Sequence, residues 1–123
     1  MRKCLSCSVV MMLMMWGCTK PLPSLEGIDQ ALWKKDKNAC AGKRWAMVTQ
    51  IERQKDKLLA LSEDDIVAVL GKPDQNELYK RNQKFFYYFV QPAPACQQDT
   101  VGAKRLAIRF NAMGLAKEVA VEN

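Results

Sequence analysis

The sequence predicts an α+β fold in which two to three N-terminal helices pack on a three- to four-stranded antiparallel sheet, a two-layer sandwich. Three observations carry this prediction. Up to Gly71 the apolar residues recur at helical spacing between capping signals. Beyond Gly71 they alternate in strand fashion, with turn sequences between the runs. The helical runs all come first and the strand runs follow as an antiparallel meander.

The chain of 123 residues has room for one domain, and 49% hydrophobic with 26% charged residues is an ordinary globular composition. It contains no histidine, which excludes every His-based metal site, triad or proton shuttle. The formal charge is +6, but the basic residues are scattered from Lys20 to Lys117 with acids among them. That distribution reads as a solvated surface rather than a nucleic-acid stripe.

The first element is MRKCLSCSVVMMLMMWGC, with Arg2 and Lys3 before an apolar stretch from Leu5 to Trp16. Its length suits the core of a secretion signal and falls short of a bilayer-spanning helix. The run ends in MWGC, with small Gly17 before Cys18, and this resembles the lipobox of bacterial lipoproteins. The resemblance implies a lipidated Cys18 as the mature N-terminus; an ordinary cleaved signal and an uncleaved anchor are the other readings. Cys4 and Cys7 would then leave with residues 1–17, so their Cys-x-x-Cys spacing is not a redox motif. Cleavage lowers the formal charge from +6 (19 basic against 13 acidic residues) to +4 (17 against 13). Residues 18–27, containing TKPLPSLEG, read as a flexible tether, and residues 28–123 as the folded domain. Thr19 stands where an inner-membrane retention signal would have Asp, which by analogy places the anchor in an outer membrane, facing the periplasm.

Cys40 and Cys96 remain, and an even pair in an oxidising compartment is most simply a disulfide. Free thiols or a metal site are the alternatives, and two cysteines without histidine make a poor zinc site.

Asp29 followed by QALWKKDK predicts a short capped helix with Ile28, Leu32 and Trp33 turned inward. Asn38 to Gly42 then form a turn that presents Cys40. From Lys43 to Leu61, Trp45, Val48, Ile51, Leu58 and Leu59 recur near helical spacing and Arg53 to Lys57 form a wet segment, which predicts one amphipathic helix. Trp45 on such a stripe reads as core more readily than as a ligand platform. In LSEDDIVAVLGKPD, Ser62 and Asp65 have capping-box spacing, and Glu63, Asp64 and Asp65 fill the first turn, where the helix dipole favours acids. Ile66, Val67, Val69 and Leu70 supply its apolar face, and Gly71 and Pro73 stop it. Capping explains the three acids better than catalysis or calcium binding does, since no glycine-bearing calcium loop follows.

Glu77 to Arg81 predicts a short strand, and Lys84 to Gln91, centred on FFYYFV, a strongly β-prone one. Alternation puts Phe85, Tyr87 and Phe89 on one face and Phe86, Tyr88 and Val90 on the other. One face must meet the helices; the other is either a partner surface or covered by the N-terminal segment. QPAPACQQDTVGAK is a long loop, RLAIRF a third strand, NAMG a turn, and LAKEVAVE a last strand or strand extension.

The helix ending LGKPD, the aromatic FFYYFV, the alternating RLAIRFNAMG and the VAVE finish resemble the BamE (SmpA/OmlA) domain of small outer-membrane lipoproteins. The likeness covers roughly residues 61–122 and the lipoprotein start. It implies two helices on a three-stranded antiparallel sheet and a non-enzymatic accessory role in β-barrel assembly or envelope integrity. The related β-lactamase-inhibitor fold implies an alternative, a periplasmic hydrolase inhibitor inserting the Cys96 loop. The expected partners are the membrane, through lipid on Cys18, and an envelope protein, bound at an exposed face near Tyr79, Phe86 and Tyr88. No nucleic acid, small-molecule substrate, cofactor or metal is expected. No catalytic residues stand out, because the chain has no acid pair distinguishable from a helix cap.

Overall fold

The computed structural model describes residues 21–96 and 102–123. Cys18, the segment before it and the middle of the Cys96 loop lie outside the described residues. Three helices precede a four-stranded antiparallel meander, which is the expected α+β order.

Helix α1 spans Gln30–Lys35; the Asp29 carboxylate accepts the Leu32 N–H at 3.1 Å and caps its start. Trp33 is fully buried, whereas Leu32, expected inside, lies at the surface. A helix of under two turns offers the core one side chain of this size, and Trp33 takes the place.

Helix α2 spans Trp45–Arg53 and buries Met47, Val48 and Ile51. It is shorter than the expected helix reaching Leu61. The run from Arg53 to Lys57 has no apolar side chain to bury, so the chain leaves the helix at Gln54, makes a 3-10 turn over Lys55–Lys57 and returns Leu58 to the core. Trp45 is likewise not core. It is 47% exposed at the first turn, with the Lys104 ammonium 5.7 Å from its ring centre.

Helix α3 spans Glu63–Leu70, and the Ser62 hydroxyl accepts the Asp65 N–H at 3.2 Å as the capping pattern requires. Ile66, Val69 and Leu70 are buried, but Val67 is on the solvent side, a quarter turn off the apolar stripe. Gly71 ends the helix at φ +82°, a conformation that disfavours any side chain. A Cβ there would also stand 2.9 Å from Lys34 Cγ.

The sheet comprises β1 (Gln75–Tyr79), β2 (Gln83–Phe89), β3 (Arg105–Phe110) and β4 (Ala116–Glu122), in the order β1-β2-β3-β4. Its helix-facing side contributes Phe86, Tyr88, Val90, Leu106, Ile108, Phe110 and Val119 to one core with Trp33, Val48, Ile51, Leu58, Ile66, Val69 and Leu70. Burying a side chain of this kind contributes about 1.5–3 kcal/mol.

The segment read as a flexible tether is docked over its last part. Leu25 is buried in the core, and the Gln54 side chain accepts the Glu26 N–H at 2.8 Å while donating to the Glu26 carbonyl at 2.7 Å. The packed unit therefore begins a few residues before residue 28. Leu25 is the apolar side chain that lets a Pro-rich stretch do this.

Candidate functional site

Cys40 and Cys96 form a disulfide with Cα atoms 5.4 Å apart. It joins the turn after α1 to the loop after β2. Beside it the Ala93 N–H donates to the Asn38 carbonyl at 3.0 Å, and Ala39, Phe89, Ala93 and Ala103 pack into a second, smaller cluster.

Under this clip lies an ionic node that sequence reading missed. Arg44, 1% exposed, donates from Nη1 to Asp74 Oδ2 at 2.6 Å and to the Phe89 carbonyl at 3.1 Å, and from Nε to the Trp33 carbonyl at 2.9 Å. Its guanidinium carbon stands 5.0 Å from the Trp33 ring centre and 5.9 Å from that of Tyr88, so aromatic faces complete the shell. Asp74 also accepts the Asn38 and Phe89 N–H groups at 3.0 and 2.8 Å. Asp36, also buried, accepts the N–H groups of Ala41, Lys43 and Arg44 and so organises the approach to α2. Both carboxylates are thus spent on backbone and arginine. The Trp33 indole N–H finds no acceptor among the described residues, a cost that the burial of the ring outweighs.

Tyr88 closes the node. Its hydroxyl donates to the Gly71 carbonyl at 2.7 Å, and burial pushes its pKa far above the ordinary tyrosine value, with the nearby Arg44 charge opposing and Asp74 reinforcing. A phenol whose folded pKa exceeds its unfolded one contributes stability that is intact below about pH 10 and lost as pH rises beyond it, because only the unfolded chain ionises there. The expected result is a melting temperature that falls steeply above about pH 10. Tyr88→Phe shallows that fall while lowering stability at neutral pH, and melts across the alkaline range in both proteins check it.

On the opposite side of the sheet, Tyr79, Phe85 and Tyr87 form an aromatic stripe. Tyr79 and Phe85 meet edge to face with centroids 5.3 Å apart, and Phe85 stacks on Tyr87 at 5.7 Å. Next to the stripe, Arg105 lies 3.6 Å over the Tyr87 ring and pairs with Glu122, while Arg109 pairs with Glu118 and donates to Gln83. The Tyr87 hydroxyl donates to Glu77 at 3.1 Å; burial raises its pKa, the Glu77 hydrogen bond and negative charge add to the rise, and the Arg105 charge opposes it.

Of the three residues expected on a partner surface, only Tyr79 is on this face, 47% exposed. Phe86 and Tyr88 are buried against the helices. The two faces of β2 divide as expected, but Tyr79 pairs with Gln83 and so shares its face with Phe85 and Tyr87, not with Phe86 and Tyr88. The deciding signal sits in β3. Phe85 and Tyr87 face Arg109 and Ala107, whereas Phe86 and Tyr88 face Ile108 and Leu106. Among the described residues there is no group of three His, Cys, Asp or Glu side chains able to hold a metal, and no helix long and apolar enough to cross a membrane.

Comparison with known proteins finds no match to this chain among family models, curated proteins or solved structures.

Proposed function

We propose that the chain is a non-enzymatic, lipid-anchored envelope protein, tethered through Cys18 to an outer membrane and facing the periplasm. It acts as a binding module with a structural or assembly role, in the manner of the accessory lipoproteins of β-barrel assembly that it resembles. The observation that carries this reading is the outer sheet face. Tyr79 and Phe85, flanked by Arg105 and Arg109, give a rigid strip of the residue types that dominate protein interfaces. A disulfide in a chain of this size fits an oxidising compartment, and the signal-like start supplies the route to one.

The test is a photo-crosslinker placed at Tyr79 or Phe85 of the full chain in intact cells, with Met113, exposed at the β3–β4 turn, as control. The expected result is an adduct with a barrel-assembly subunit from the two sheet positions and not from Met113. Adducts confined to a soluble hydrolase would replace this reading with the inhibitor. Equal labelling from all three positions, or none, would overturn the surface assignment.

A further inference from the structure

The two edges of the sheet are treated differently. Along β4 the edge is closed near its start: the Ala60 N–H donates to the Ala116 carbonyl, the Ala116 N–H donates to the Leu61 carbonyl, both at 2.8 Å, and Ser62 bridges Leu115. At the other end of the order lies β1, with all five residues exposed and no strand on its outer side among the described residues. Edge strands are ordinarily blunted by proline, bulges, inward charges or a covering loop. This one, QNELY, contains no proline and a single charge, and pairs with β2 in unbroken register. It carries Leu78 at 79% exposure beside Tyr79. An unprotected edge with an exposed leucine is a template for another strand.

The charge order of the strand identifies the occupant. Glu77 precedes Leu78, and Lys80 and Arg81 follow it in the turn. In an antiparallel pair of identical strands centred on Leu78, the two leucines face each other, Glu77 lies opposite Tyr79 of the second copy, and diagonally across from Glu77 is the second copy's basic turn. Centring on Glu77 instead would oppose two carboxylates, a repulsion that the leucine register avoids while bringing the exposed leucines together. We propose that β1 is a self-complementary edge through which two copies of this chain join their sheets about a two-fold axis into one eight-stranded sheet. The outer aromatic strips of the two copies then lie on the same side of that sheet. This inference rests on the edge and not on the partner reading of the outer face, so either can fail without the other.

Sedimentation of the full chain in a density-matched non-ionic detergent, over a range of concentrations, tests it. The expected result is a reversible monomer–dimer equilibrium whose dissociation constant rises at least about tenfold in Leu78→Lys, since opposed ammonium groups replace the central contact. Met113→Lys, at a site equally open to solvent, leaves it unchanged. Glu77→Arg weakens the dimer, and adding Arg81→Glu restores it. A monomer at every concentration, or a dimer indifferent to Leu78→Lys or weakened equally by Met113→Lys, would overturn the proposal. Leu78 is exposed, so Leu78→Lys leaves the fold of each copy intact, which near-native circular dichroism of the variant verifies.

Discussion

Replacing Cys40 and Cys96 together by alanine is expected to lower the unfolding free energy by about 4 kcal/mol, the chain-entropy value for a sequence separation of 56. The cross-link acts mainly on the unfolded chain. With the bridge intact, the ends of more than half of the described domain are held together after unfolding, which removes conformations the open chain would visit. The folded state keeps other ties at the same place, among them Ala93 to Asn38 and Asn38 to Asp74, so the variant retains its fold under benign conditions. Equilibrium urea unfolding of the oxidised protein and of the double variant measures the difference. A loss below about 1 kcal/mol would mean that the folded ties, and not the cross-link, dominate at this end of the molecule.

Arg44→Met is expected to cost about 3–5 kcal/mol, because it leaves the Asp74 carboxylate buried without its cation. Three elements meet at this arginine. It bonds the last part of α1 through Trp33, the start of β1 through Asp74 and the end of β2 through Phe89. Arg44→Lys does not restore the loss, since one ammonium cannot reach three acceptors held by a planar fork of donors. Adding Asp74→Asn to Arg44→Met recovers part of the loss by removing the unpaired charge, and the remainder reports the Asn38 and Phe89 N–H groups that Asp74 serves. Urea unfolding of the four proteins of this cycle measures the coupling. An arginine variant as stable as the parent would show that the node is replaceable packing.

What the sequence made legible follows from local chemistry. Asp29 and Ser62 cap helices because their oxygens reach N–H groups two or three residues on, and Gly71 ends a helix because its φ is positive. These are short-range facts, and so is the alternation along β2. The face assignment is not local. With Phe85, Phe86, Tyr87 and Tyr88 in succession, both sides of β2 are apolar, and only the register against Arg105, Ala107 and Arg109 on β3 shows which side faces solvent. Arg44 was illegible for a similar reason. In a basic chain it sits next to Lys43 and resembles a surface charge, and its partners Asp74 and Phe89 lie 30 and 45 residues away. The overextended second helix had a visible cause, the polar run Arg53 to Lys57, whose cost to a helix depends on what it could pack against.

The proposed function requires that the chain be exported, oxidised and anchored through Cys18. An intact mass of the protein purified from membranes tests all three at once. The predicted mass is that of a chain beginning at Cys18, carrying a diacylglyceryl group, and two hydrogens lighter than its reduced form because Cys40 and Cys96 are joined. The mass of a chain that begins at Met1 with both cysteines reduced would contradict the proposed function.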